Sequence, residues 1–246
     1  AAAVSWGAAN AWYGFPRTPF DVCFAPRDDA EKTVALITEE TAAVIIELVQ
    51  GVAGAYDLDF DYVSAVADTC KKTGTLLIVD EVQTGMGRMG TPFASDLYKI
   101  NPDLMTLAKS LGAGFPCGAL LCSDAIASDT GVGDLGSTFG GGPLACKLIS
   151  TVIDVIQNEG LMDNVNNLSR LLTESAPVGP IESVQGQGFL LGLRCTIPAK
   201  EVHRQLLEKN ILAGTSADPH ILRLLPPYIL EQQHIEQLLA ALNSIS

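Results

Sequence analysis

The chain has 246 residues, 48% of them hydrophobic, enough for one large domain or two modest ones with a sizeable core. Its 28 acidic and 15 basic residues leave a formal net charge of -13. That balance repels phosphate backbones and anionic membrane surfaces, and so argues against nucleic-acid or lipid partners. The 23 Gly and 13 Pro punctuate the chain without making it low in complexity, which excludes disorder as the main state.

Cys23, Cys70, Cys117, Cys122, Cys146 and Cys195 include no Cys-x-x-Cys pair, and His203, His220 and His234 are not spaced with them as metal ligands. No metal is expected. The cysteines are read as buried small hydrophobes in a reducing compartment. No apolar run reaches the length of a membrane span and no charged-then-apolar leader opens the chain, so the expected location is cytoplasmic. The opening AAAVSWGAAN lacks an initiator Met and begins in mid-pattern, as a piece of a longer protein would.

In chain order, Ala42–Val49 is a near-continuous apolar run, expected as a strand buried on both faces. Phe60–Lys72 follows with helical spacing, Tyr62, Val63, Val66, Ala67 and Cys70 forming one stripe. Thr75–Asp80, Leu104–Ala108 and Cys117–Cys122 read as three further strands. Strands alternating with helices predict an α/β fold with a parallel sheet, helices on both faces and its site at the strands' carboxyl ends. A long helix is expected from Pro143 to about Asn158, and another over Leu161–Glu174. Beyond lies a smaller α+β unit. It has two strands around Gly186 and Gly188, a helix near Ala199–Lys209, strands near Ile211–Gly214 and Ile221–Leu225, and a helix from Glu231. The expected division is 1–160 and 161–246.

Four features compete to carry chemistry. Leu76–Glu81 resembles the Mg²⁺-holding strand of a P-loop ATPase, but that reading needs GxxxxGK[ST], which the chain lacks. The run from Gly85 to Gly90 satisfies GxGxxG. Four residues separate it from the strand end at Asp80, and no second strand ends in a suitable acid, so a dinucleotide site is disfavoured. Asp80 and Lys109 each close an apolar strand. A partly buried amine there can form a Schiff base, and a carboxylate opposite can hold a pyridinium nitrogen protonated. A structural ion pair is the plainer alternative. Finally, LGSTFGGGP, Leu135 to Pro143, opens a long helix with the hydroxyls and bare N–H groups of a phosphate site, or forms only a Gly-rich turn.

The ordered strings ELVQG, LLIVDEVQTGMGRMG, PDLMTLAKSLGAGFPCGA, GSTFGGGPLAC and ILRLLPPYI resemble class III, fold-type I, pyridoxal-phosphate-dependent aminotransferases of the acetylornithine and ornithine type. The resemblance implies an α/β fold, the mostly parallel sheet of a PLP-transferase large domain with its N-terminal part absent, plus a smaller α+β C-terminal domain. It implies that Lys109 forms the aldimine with pyridoxal 5'-phosphate and shuttles a proton between substrate Cα and the cofactor. Asp80 then meets the pyridine nitrogen, Val82 packs on the ring and Gln83 lies near the 3-hydroxyl. Ser137 and Thr138 serve the phosphate, Thr138 that of a neighbouring subunit, which makes the protein a homodimer with a shared site. Arg223 takes the substrate α-carboxylate, a task suited to a planar bidentate fork, and Glu47 matches the Glu of the family's EPVQG motif. The implied reaction moves an amino group from an acetylornithine- or ornithine-like amino acid to the 2-oxo acid 2-oxoglutarate.

Two departures qualify it. Where the family carries a Glu that pairs with the carboxylate-binding Arg, this chain has Val52, so the amino donor is left open. The family's Gly-Thr phosphate loop and aromatic-His-Gly motif are absent from the 246 residues, which resemble about the C-terminal three-fifths of a full member. A non-catalytic remnant used for dimerisation or binding is the alternative.

Overall fold

The computed structural model describes residues 20–245. The first part runs α1 (Ala30–Ala35), β1 (Ala43–Ile46), β2 (Val49–Gln50), β3 (Tyr56–Asp57), α2 (Phe60–Thr73), β4 (Leu76–Asp80), α3 (Ala94–Tyr98), β5 (Leu104–Leu107), β6 (Ala119–Cys122) and α4 (Asp124–Ser128). Then come α5 (Pro143–Asn158), α6 (Leu161–Ser175), β7 (Ile181–Gln187), β8 (Leu190–Cys195), α7 (Ala199–Glu208), β9 (Gly214–Thr215), β10 (Ile221–Leu224) and α8 (Gln232–Asn243).

α2 shows how local sequence sets an element. Asp59 caps it by accepting from the Asp61 and Tyr62 N–H groups at 2.9 and 3.0 Å. Gly74, at φ 74°, ends it in the left-handed conformation that glycine adopts without strain. Between them Tyr62, Val63, Val66 and Cys70 are buried, each large apolar side chain contributing about 1.5–3 kcal/mol. They meet Ile46, Leu77 and Val79 on one face of the first sheet.

That sheet has the order β1-β4-β5-β6. β1, β4 and β5 are parallel, and β6 returns antiparallel to β5. The sheet is therefore mostly parallel, as expected, with one reversed edge strand. Only a short 3-10 turn, Lys109–Gly112, separates β5 from β6, too little chain for a parallel crossover.

Two expectations are corrected. The run Ala42–Val49 breaks after Ile46, and Val49–Gln50 pairs instead with β3. Nor is β1 buried on both faces. Its side toward α2 is covered, but Ile45 is exposed on the other side, as are Leu76, Leu120 and Cys122, because no helix of the described residues lies over them. The cysteines divide likewise. Cys70 and Cys195 are buried and Cys117 is intermediate, whereas Cys23, Cys122 and Cys146 are exposed; all six are free thiols, but only two behave as core hydrophobes.

The second sheet, β7-β8-β10-β9, is antiparallel throughout. Leu191, Leu193, Leu222 and Leu224 from its strands pack with Leu172 of α6, Val202 and Leu206 of α7, and Ile235 and Leu242 of α8.

Two glycines of the GMGRMG segment lie against the helices α5 and α6. A Cβ on Gly87 (φ 89°) would meet Met162 and Ile156 at 3.2 and 3.3 Å, and one on Gly90 (φ 78°) would meet Asn166 at 2.0 Å. The motif's bare backbone is thus spent on close packing against α5 and α6. Among the described residues no helix is long and apolar enough to cross a membrane.

Candidate active site

The parallel strands bring three ionisable groups to one edge. The Ile46↔Val79 register sets Glu47, just past β1, level with Asp80, and Asp80 in turn faces Thr106 of β5. Lys109 follows three residues after Thr106, in the turn that leaves β5. Their proximity registers at Glu47. Burial and the Asp80 charge push its carboxyl up, while the Gly51 backbone N–H and the Lys109 ammonium act the other way.

Asp80 is fixed through one oxygen. Its Oδ1 accepts from the Val82 N–H at 2.9 Å and from the Thr106 hydroxyl at 3.0 Å. The first bond is an Asx-type turn that ends the strand; the second borrows a hydroxyl across the ladder. Its Oδ2 has no hydrogen-bond partner among the described residues. The Lys109 Nζ likewise has none, and Lys109 holds φ 49°. A left-handed lysine costs on the order of 1 kcal/mol, the kind of strain found where a side chain must be aimed.

Gly51 gathers two more of the expected residues. Its Cα is approached so closely by Gln83 that a Cβ would stand 2.5 Å from the amide. Its carbonyl oxygen accepts from Arg223 Nη1 at 3.0 Å. Arg223 also donates from Nε to the Thr215 carbonyl at 2.8 Å; Nη2 is unspent among the described residues, and no carboxylate pairs with the fork there. Val52, next in the chain, turns its side chain outward at 63% exposure, while its carbonyl accepts from the Ala217 N–H at 3.1 Å.

Ser137 and Thr138 stand apart. Both are exposed on the loop before α5, and neither forms a side-chain hydrogen bond with Asp80, Val82, Gln83 or Lys109. The described residues hold no cluster of three or more His, Cys, Asp or Glu fit for a metal.

One buried carboxylate beside the site escaped sequence reasoning. Glu81 is 1% exposed. Its carboxylate accepts from the Ala94 N–H at 3.1 Å, the Ser95 N–H at 2.8 Å, the Ser95 hydroxyl at 2.9 Å and the Thr84 hydroxyl. It thereby ties the turn after Asp80 to the start of α3. The signal was the strand's period of two, which sends adjacent acids to opposite faces, one to the open edge and one to the core.

The donor set suits pyridoxal phosphate. It offers an unpaired amine, an unpaired carboxylate oxygen at the next strand end and a side-chain amide beside them, the groups a protonated pyridine carrying an aldehyde and a hydroxyl requires. That constellation lies at the carboxyl end of the parallel strands.

Comparison with known proteins agrees. Residues 17–245 match the family model Aminotransferase class-III, and the chain belongs to that family. It is 40% identical over 226 residues to the acetylornithine aminotransferase of Archaeoglobus fulgidus, covering 90% of this chain and 60% of that protein. The acetylornithine aminotransferase structure from Elizabethkingia anophelis superposes with a TM-score of 0.81 at 29% identity, over 89% of this chain and 60% of that one. An ornithine aminotransferase from Toxoplasma gondii, whose structure has partial occupancy of PLP at its active site, gives a TM-score of 0.85 at 28% identity. That match covers 94% of this chain and 56% of that one. The chain thus spans about three-fifths of the length of these curated relatives.

Proposed function

We propose that the protein to which this chain belongs is a pyridoxal-phosphate-dependent transaminase acting between an acetylornithine- or ornithine-like amino donor and 2-oxoglutarate. The observation that carries the reading is the pair Lys109 and Asp80. They close adjacent parallel strands at one sheet edge, with an amine and a carboxylate oxygen that no described residue engages.

When bound, pyridoxal phosphate supplies an electron sink for the electrons released at the substrate's Cα. Lys109 holds the cofactor covalently through its amine and moves the proton at Cα. The Asp80 Oδ2 keeps the ring nitrogen protonated, while Thr106 and the Val82 N–H hold the carboxylate in that orientation. Gln83 addresses the 3-hydroxyl and Val82 packs on the ring. Arg223 receives the α-carboxylate through its unspent N–H donors, its position set by the Gly51 and Thr215 carbonyls. Glu47 adds a partly buried acid beside Asp80. Ser137 and Thr138 serve a phosphate, Thr138 across a homodimer interface, which accounts for their distance from the rest of the site. The large domain extends to about residue 160, with the small domain beyond it, and the enzyme works in the cytoplasm on amino-acid metabolism.

The test is transamination by the intact protein with ornithine, N-acetylornithine and 2-oxoglutarate, alongside an Arg223→Gln variant. The account expects turnover and a large rise in KM for carboxylate substrates in the variant. No turnover, with no cofactor retained, would favour the non-catalytic binding module.

A further inference from the structure

The segment that follows Gln83 contains a cation that the proposed chemistry leaves unused. Arg88 is largely buried, and its Nη1 donates to the carbonyl oxygens of Pro226 at 2.6 Å and Phe189 at 3.3 Å. Its guanidinium carbon lies 4.5 Å from the centroid of the Tyr228 ring. Its own carbonyl accepts from the Phe189 N–H at 2.9 Å. Burial holds its pKa below the usual guanidinium value, with Tyr228 opposing that effect. No carboxylate pairs with it among the described residues.

A buried guanidinium without a counter-charge is costly, and an apolar side chain of similar volume would fill the space more cheaply. One nitrogen, Nη1, holds both carbonyls at once. Those carbonyls belong to two segments that bracket Arg223. Phe189 precedes β8 and Pro226 lies three residues beyond Arg223, while within the sheet Arg223 pairs directly with Gly192 of β8. The other end of the tie is short. Four residues separate Arg88 from Gln83, and the Gly85 N–H bonds the Glu81 carbonyl at 2.9 Å.

We infer that Arg88 is a positioning residue, which locks the β8–β10 edge onto the turn after Asp80 and so sets where the Arg223 fork stands relative to Lys109. The inference rests on the reading of Arg223 as the carboxylate clamp. Misplacing such a clamp by about 1 Å costs on the order of a hundredfold in reactions that depend on orientation, so loss of the tie should weaken carboxylate recognition while sparing cofactor retention.

The experiment uses the intact cofactor-loaded protein, with glutarate as the dicarboxylate probe, measured by titration calorimetry. Bound cofactor is measured in parallel, and KM and kcat are determined for ornithine. In Arg88→Lys, whose shorter side chain stops the ammonium short of the Nη1 position and offers no planar face to Tyr228, glutarate affinity and ornithine KM should each worsen about tenfold. There kcat should stay within about twofold and cofactor content should not change. Tyr228→Leu keeps both carbonyl hydrogen bonds and removes the ring with its hydroxyl, so it should fall between Arg88→Lys and the unaltered protein. It also serves if the lysine variant fails to fold. Arg223→Gln separates the two levels of the argument: if it binds glutarate normally, the carboxylate reading fails first. If Arg223→Gln loses glutarate while Arg88→Lys and Tyr228→Leu bind it as the unaltered protein does, the positioning role is overturned. Equal loss of cofactor in Arg88→Lys would overturn it too, as damage to the whole site.

Discussion

Arg223 and Gly51, 172 positions apart in the chain, meet through a 3.0 Å hydrogen bond from the guanidinium to the backbone carbonyl. The contact fastens the second sheet to the turn after β2, and it engages the guanidinium through a neutral oxygen. The fork therefore keeps its full charge for an incoming carboxylate. Val52 should thus act as a tuning position. In Val52→Glu, a carboxylate on that exposed lip competes for Arg223, and glutarate binding by the intact protein should weaken about tenfold at low salt. The effect should shrink as ionic strength rises. Because Val52 is 63% exposed, the melting temperature should hardly move; salt titration of the two affinities checks both points.

Glu47 carries a pH dependence whose sign follows from its surroundings. Its folded carboxyl sits above the ordinary glutamate value because of burial and the neighbouring Asp80 charge. A raised folded pKa contributes stability that is complete below the unfolded value and is lost as pH rises through the folded one. Glu47→Gln should therefore raise the melting temperature at pH 7. The gain should vanish as the pH is lowered beneath the glutamate range, and melting curves across that window decide it.

Glu81 should behave in the opposite way. Four donors converge on its buried carboxylate, and a glutamine would turn an N–H₂ group toward donors it cannot accept. Charge-assisted bonds of this kind contribute about 1.5–3 kcal/mol, so Glu81→Gln should destabilise by about 2–3 kcal/mol. Chemical denaturation reads that loss directly, and a change below about 0.5 kcal/mol would place Glu81 among neutral substitutions.

Two glycines with similar backbones should respond unequally to alanine. Gly74 (φ 74°) has nothing within 4 Å of a built Cβ, so Gly74→Ala should cost only the left-handed strain, about 1–2 kcal/mol. Gly188 (φ 54°) would drive its Cβ to 2.3 Å from the Arg88 carbonyl and 2.6 Å from Met89 Cα. Backbone cannot yield there as a side chain would, so Gly188→Ala should cost more than about 3 kcal/mol. Comparing the two unfolding free energies isolates the packing contribution.

Much of this arrangement was legible in the residues. The apolar runs ending at Asp80 and before Lys109 fixed the parallel strands and their carboxyl edge, and the stripe through Tyr62 and Cys70 marked the buried face of α2. What escaped depended on partners distant in sequence. The four donors to Glu81 lie at Thr84, Ala94 and Ser95, beyond the strand's own pattern. The break after Ile46 follows from pairing with Tyr56–Asp57, and exposure of Cys122 and Cys146 depends on which faces other elements cover. The direction of β6 turned on the shortness of the Lys109–Gly118 connection, a matter of chain length that apolar patterning does not encode.

The central claim is that the Lys109 amine holds pyridoxal phosphate. The direct test is intact mass of the purified protein before and after borohydride reduction, followed by peptide mapping, with a Lys109→Ala variant alongside. The account predicts a reducible pyridoxyl adduct that maps to Lys109 and is absent from the variant. An adduct elsewhere, or one retained in Lys109→Ala, would contradict it.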